Sequence, residues 1–215
     1  MKIAGTLLCL GLLLPATAMA DIDGDYAALV AKAQTGDAST DFAALHKAYA
    51  QSSSYDPYGQ DWQTINNDGY VALQAKDCVT ALAKADAVLK IDFTAITSHM
   101  LRMTCSKQNG DDATAARELT ISKGLLGSIL STGDGKSADT AYMVTTMADE
   151  RYILLLSRSR ETGQALLNTK NGPVDEITAT DFVTGGKSTV YFNVSALFAG
   201  MERKLQEKAA GATKP

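Results

Sequence analysis

The sequence predicts an α+β fold, mainly α: tetratricopeptide-like antiparallel helix pairs, then a small, mostly antiparallel β-sheet and a C-terminal helix. Three observations carry that expectation. Apolar residues recur at offsets of three and four from Asp21 to about Leu130, the period of helices buried on one face. Past Gly135 the pattern changes to short runs rich in Thr, Val, Tyr and Phe, punctuated by Gly and Asn, which read as strands. Within the helical part, Asp77 and Ala81 recur as Asp111 and Ala115 at a spacing of 34, the tetratricopeptide period. Little more than one repeat is visible, so an ordinary helical bundle stays open beside it.

The elements follow in order. Residues 1–20, "MKIAGTLLCLGLLLPATAMA", combine a basic start at Lys2, an apolar run from Leu7 to Leu14 and a small-x-small site at Ala18-Met19-Ala20. That is the pattern of a secretory signal peptide cut after Ala20, which places the mature chain in the periplasm or outside the cell. The run is too short to span a bilayer, and no second long run exists, so no transmembrane helix is expected in the mature chain. Cys9 follows bulky Leu8 inside the apolar run, which argues against a lipoprotein.

Tyr26, Leu29, Val30 and Ala33 share one face of a first helix that starts at about Tyr26 and ends at Gly36-Asp37. The acids of "DIDGD" before it read as a cap and dipole partner. An EF-hand fails there, because its sixth and twelfth positions hold Tyr26 and Lys32. Phe42, Leu45, Ala48 and Tyr49 form a second helix capped near Thr40-Asp41, and Pro57 and Gly59 break the chain within "SSSYDPYGQD".

A third helix runs from about Asn66 to Ala75. A fourth carries Cys78, Ala81, Leu82, Ala85, Val88 and Leu89, and a fifth carries Ile96, Met100 and Met103 with Leu101 and Cys105 on a neighbouring stripe. A sixth shows Ala115, Leu119, Ser122, Leu126 and Ile129. Beyond them "TAYMVTTM" reads as a strand, "ADERYILLLSR" as a helix, and "TGQALL", "EITATDF" and "STVYFNV" as strands. Gly185-Gly186-Lys187 turns a hairpin between the last two, and "SALFAGMERKLQEK" returns to helix. The organisation is thus a helical region at 21–132, a small α+β region at 133–208 packed on it, and a flexible tail at 209–215.

Without the leader two cysteines remain, Cys78 and Cys105, and an even count in an oxidising compartment suggests one disulfide. The turn between the fourth and fifth helices centres near Ile91-Asp92, about 13 or 14 residues from each cysteine. Residues equidistant from the turn of an antiparallel hairpin lie side by side, so the two are expected to be bridged. Charge excludes one class of partner. Without Lys2, 19 Lys and Arg face 24 Asp and Glu, a net −5, and no basic stripe suited to nucleic acid is present.

Gly135-Lys136-Ser137 looks like the end of a nucleotide-binding loop. The first glycine of that motif should stand at 130, which is Leu130, and the order of helix and strand around it is inverted. Two readings stay open: an anion nest built by Gly133, Gly135 and Lys136, or a helix end with Gly133 as left-handed cap. Tyr49, Tyr55, Tyr58 and Trp62 cluster around the Pro57 loop, either anchoring the loop or facing a partner. The candidate binding residues are therefore Tyr55, Asp56, Tyr58, Trp62, Asp134 and Lys136. His46 and His99 are the two histidines, and neither has a metal-ligand spacing or a Gly-x-Ser-x-Gly elbow nearby. No metal, cofactor or catalytic residue is assigned.

"DFAALHKAYAQSSSYDPYG", "STGDGKSADTAYMV…DERYIL" and "TVYFNVS" together resemble the bacterial family known as domain of unknown function 4919. The most specific pieces are Tyr55-Asp56-Pro57-Tyr58, Gly133-Asp134-Gly135-Lys136 with Thr140-Ala141-Tyr142, and Tyr191-Phe192-Asn193-Val194. The resemblance implies an exported protein with a helical first part and a sheet-containing end. It carries over no activity and no catalytic residue. The expectation that follows is an exported protein-interaction module of the bacterial envelope whose partner is another envelope or secreted protein. An immunity or inhibitor protein for a toxin or envelope enzyme is the alternative within binding. An envelope hydrolase using His46 or His99 as base is the alternative outside it.

Overall fold

The computed structural model describes residues 21–60 and 62–212. The leader at 1–20 and the last three residues of the expected tail lie outside the described residues. Six helices come first: α1 (Ile22–Gln34), α2 (Phe42–Gln51), α3 (Gln63–Gln74), α4 (Cys78–Ile91), α5 (Ile96–Gln108) and α6 (Asp112–Leu130). A 3₁₀ turn (Ala138–Thr140) leads to β1 (Tyr142–Met143), and α7 (Met147–Leu156) follows. Three strands, β2 (Ser159–Thr169), β3 (Gly172–Asp181) and β4 (Lys187–Asn193), precede α8 (Ser195–Ala212). This is the mainly α, α+β fold the sequence predicts.

Side-chain oxygens start the helices. Asp21, Asp41, Asp77 and Asp111 each accept an amide hydrogen from the first turn, and Thr146 with Asp149 forms a full capping box on α7. The 34-residue spacing marks two equivalent joints. Lys76 and Gly110 both take positive φ, at 62° and 77°. The amides of Asp77 and Asp111 then reach back to the carbonyls of Ala72 and Ser106, the Schellman closure of a helix. Ala81 and Ala115 are both buried one turn later.

Helices α3 to α6 pack in chain order, and α1 and α2 fold onto α6. Cys78 and Cys105 form a disulfide across α4 and α5 with Cα atoms 5.4 Å apart, as the hairpin geometry predicts. Around it Ala72, Ala81, Ala85 and Leu101 make a small core. The main core joins both halves of the chain: Leu45, Ile121 and Leu125 meet Tyr152, Ile153, Ile177, Phe192 and Leu197.

The sheet runs β1-β4-β3-β2. β2 pairs with β3 and β3 with β4 antiparallel, while β1 lies parallel to β4.

Four local expectations change. The first helix starts at Ile22 rather than Tyr26, because Asp21 supplies the cap. "TAYMVTTM" holds only the two-residue β1, since Thr140 closes a 3₁₀ turn and Thr146 already caps α7. The buried face of α6 is Ala115, Glu118, Ile121, Ser122, Leu125 and Ile129, which leaves Leu119 and Leu126 half-buried. Residues 209–212, assigned to a flexible tail by composition, continue α8.

Candidate functional site

The three most distinctive motifs of the sequence converge on one segment, residues 140–147, where the helical half meets the sheet. From the loop after α2, the Tyr55 hydroxyl donates to the Thr145 carbonyl, and the Met147 amide donates to the Pro57 carbonyl at 2.9 Å. After α6, the amides of Asp134 and Gly135 both donate to the Thr140 carbonyl, at 3.0 and 2.8 Å. The Gly135 carbonyl accepts from Tyr191 at 2.9 Å, and the Asn193 carbonyl accepts from Val144 at 3.2 Å. Gly133 is required by space: a Cβ there would lie 2.2 Å from the Thr140 carbonyl oxygen.

That geometry settles the Gly-Asp-Gly-Lys loop. Gly135, not Gly133, holds the left-handed conformation, with φ of 65°, and the helix ends earlier in Ser131. The amides an anion nest would use are committed to Thr140. Asp134 accepts from the Lys136 amide and the Thr140 hydroxyl, at 3.0 and 2.6 Å. These bonds, Thr140 first, hold its carboxyl below the usual range. Lys136 pairs with Asp134 itself at 3.7 Å. The loop is a clasp between α6 and β4, and the exposed side chains of Asp134 and Lys136 pair with each other on its surface.

The aromatic loop divides. Tyr55, Asp56 and Trp62 are buried, so they anchor the loop and do not form the partner-facing patch the cluster suggested. Burying these large rings removes their apolar area from water. Tyr55 stacks edge-on against Tyr49, with ring centres 5.3 Å apart, and the Asp56 amide donates to the Tyr49 hydroxyl. Trp62 packs with Val88, Leu89 and Ala95. Tyr58 alone of the four stays exposed, reaching Met201 of α8.

A family model matches residues 21–203, which take in all three converging motifs. The chain belongs to the family described as domain of unknown function DUF4919. No curated protein matches it, and no solved structure does. The distinctive residues of this DUF4919 chain therefore serve first to lock its two halves together. One of them, Asn193, also lines a cleft beside the junction.

That cleft, of about 590 Å³, opens beside the junction between α2, α6, β1 and α8. Its apolar lining includes Ala43, Ala50, Ile129, Val144, Ala196 and Ala199, and its polar lining includes Lys47, Gln51, Asn193, Arg203, His46 and Ser128. His46 is buried, and its Nδ1 lies 2.8 Å from Ser128 Oγ. Ser128 donates its own hydrogen to the Leu125 carbonyl at 2.7 Å. His46 must then be the donor to Ser128, which leaves Nε2 a bare acceptor; that atom has no partner among the described residues. Burial pushes the His46 ring below its usual pKa, only partly opposed by the charge of Asp149.

The other histidine is no candidate base. His99 is buried, with Nδ1 2.7 Å from Glu118 and Nε2 2.8 Å from the Phe93 carbonyl. Both nitrogens face acceptors, and Arg102 and Arg117 bracket the same carboxylate. Burial works against the Glu118 charge, but the His99 hydrogen bond and these cations win and hold its carboxyl low. Helix periodicity could place His99 but not Glu118 opposite it, so sequence reasoning missed the pair.

On the far side of α8 a shallower groove of about 290 Å³ is lined by Asp56, Pro57, Tyr58, Met201, Lys204 and Leu205. Phe198 and Leu205 of this helix are 42% and 67% exposed, and with Met201 they form an apolar stripe at helical spacing. No group of three or more His, Cys, Asp or Glu among the described residues is placed to hold a metal ion. No helix among them is long and apolar enough to cross a membrane.

Proposed function

We propose that the protein is an exported interaction module of the bacterial envelope, acting by binding another envelope or secreted protein and not by catalysis. The observation that carries this reading is the apolar stripe of Phe198, Met201 and Leu205 on α8, extended by Tyr58 across the adjoining groove. Large apolar side chains held outward on an ordered helix, with a tyrosine beside them, are the anchor pattern of helix-mediated recognition. The leader-like residues 1–20 and the disulfide support export.

Photo-crosslinking side chains placed at Phe198 and Leu205 test it in the native envelope. One discrete adduct is expected from both positions and none from Val79, an 82% exposed residue of α4. Equal labelling at all three, or none at α8, would sink the reading.

One observation favours the hydrolase as a second reading: His46 and Ser128 touch within the cleft. The Ser128 proton points to Leu125 and not to the imidazole, so the pair is not arranged as base and nucleophile. Ester turnover that disappears in Ser128→Ala would reverse that judgement.

A further inference from the structure

The sheet leaves one long edge without a partner. In the order β1-β4-β3-β2 the edge strands are β1, two residues long, and β2, eleven residues long. Among the described residues β2 pairs only with β3, so a row of its backbone N–H and C=O groups faces outward. Seven consecutive residues, Arg160 to Leu166, are exposed whichever face of the sheet they point to.

Edges of this length are ordinarily blunted by charge, proline or a bulge. β2 carries such devices at one end only: Arg160, Glu161 and the irregularity between Glu161 and Gly163. From Gly163 to Thr169 the ladder to β3 is regular, and the stretch holds no charge and no proline. Leu166 at its middle is 48% exposed. Outward-facing amides and carbonyls in this spacing are matched by another extended strand, so the chemistry of the edge limits what can cover it.

The stretch is complementary to itself. A two-fold axis perpendicular to the sheet sets one residue opposite its own copy, and antiparallel pairing centred on Leu166 uses all seven regular residues. Leu166 then meets Leu166, Ala165 meets Leu167, Gln164 meets Asn168 and Gly163 meets Thr169. Beyond each end Lys170 faces Thr162 of the other copy, beside Glu161. Glu161 is exposed and makes no ion pair among the described residues. Lys170 lies 3.5 Å from Asp139 of its own chain, with side chains 78% and 68% exposed. A surface pair of that kind contributes little, so the lysine is free to exchange it. Centring one residue earlier would set Lys170 against Arg160, two like charges directly opposed.

We propose that the protein forms a two-fold dimer through β2, joining two four-stranded sheets edge to edge with Leu166 at the centre. The pairing consumes the long edge of both copies and stops at two. It does not use Phe198, Met201 or Leu205 of α8, so this surface and the one assigned to a partner protein can fail separately.

Sedimentation of the purified protein from low micromolar to submillimolar concentration tests the proposal, and a reversible monomer–dimer equilibrium is expected. Leu166→Lys sets like charges opposite each other and should leave a monomer throughout, with circular dichroism unchanged at so exposed a position. Lys170→Glu should weaken the dimer about tenfold, and adding Glu161→Lys should restore it. Opposed Cβ atoms lie about 4.5–5.5 Å apart, so Leu166→Cys should bridge two copies under mild oxidation. Val79→Cys, 82% exposed on α4, should not. A monomer throughout, growth beyond two copies, a dimer unmoved by Leu166→Lys, no rescue by the charge swap, or equal bridging at Val79 would overturn the proposal.

Discussion

The α3–α6 array and the junction at residues 131–147 are held by opposite means. In the array, neighbours in sequence are neighbours in space: each helix packs on the next, two Schellman joints repeat after 34 residues, and a disulfide spans a separation of 27. At the junction, partners come from far along the chain. Tyr55 reaches Thr145 over 90 residues, and Tyr191 bonds to Gly135. The array repeats a local rule, whereas the junction is a single assembly of four segments. That difference explains why the first is regular and the second draws on motifs scattered along the chain.

Removing the staple is the most severe test of this contrast. Cys78→Ser with Cys105→Ser should cost about 3.5 kcal/mol in the chain-entropy model for a loop of this size. Chemical denaturation should show the loss with the helical signal of the folded state intact. A loss of helix in the folded protein would mean that the array depends on the bridge for structure as well as stability.

Both regions should respond to pH, the junction through Glu150 on α7 and the array through Asp92 in the turn between α4 and α5. Helix α7, which leaves the junction, buries Glu150, with Oε1 lacking a partner among the described residues. Burial first, then the charges of Asp175, Asp149 and Glu161, push its carboxyl up to about 8, against Arg151. Asp92 is likewise pushed up to about 7, by burial and by Asp149, against bonds from Thr94 and Tyr49. Both folded values exceed the unfolded ones, so the unfolded chain binds fewer protons. The stability these groups contribute is complete below about pH 4 and lost as pH rises through 7 to 8. Glu150→Gln should flatten that decline, on the order of 2 kcal/mol between pH 5 and 8. Thermal midpoints across that range decide it, and an unchanged slope would show that Glu150 is ionised throughout.

The smallest effect separates the two joints. Lys76 occupies the left-handed conformation that Gly110 adopts without strain at the equivalent place. Lys76→Gly should raise stability by about 1 kcal/mol, read as a higher denaturation midpoint. A fall would mean that the lysine side chain contributes packing that outweighs its backbone strain.

Legibility in the sequence followed the same division. The helix cap at Asp41, the Cys78–Cys105 bridge and the mainly α order are all fixed by residues within about a turn or a hairpin of one another. Tyr55 and Trp62 could be seen as important, but whether an aromatic faces inward depends on what lies over it. Here that is Gly200 of α8 for Tyr55, where a Cβ would fall 2.1 Å from the ring. Gly133 was visible as a loop residue. Its actual duty, clearing the Thr140 carbonyl, needs a contact no periodicity encodes. The cleft was invisible for the same reason, since its four walls come from α2, α6, β1 and α8.

Arg203 has a consequence for the order in which the molecule is completed. A chain is made from its N-terminus, so α2 exists long before α8. Until residue 203 emerges, the carbonyls of Ala50 and Ser52 lack their guanidinium donor, and until residue 200 emerges Tyr55 has no lid. The first half therefore cannot finish its own packing during synthesis. An unfinished core keeps a nascent chain loose until its last helix is available, the state in which a polypeptide can be threaded through a narrow pore.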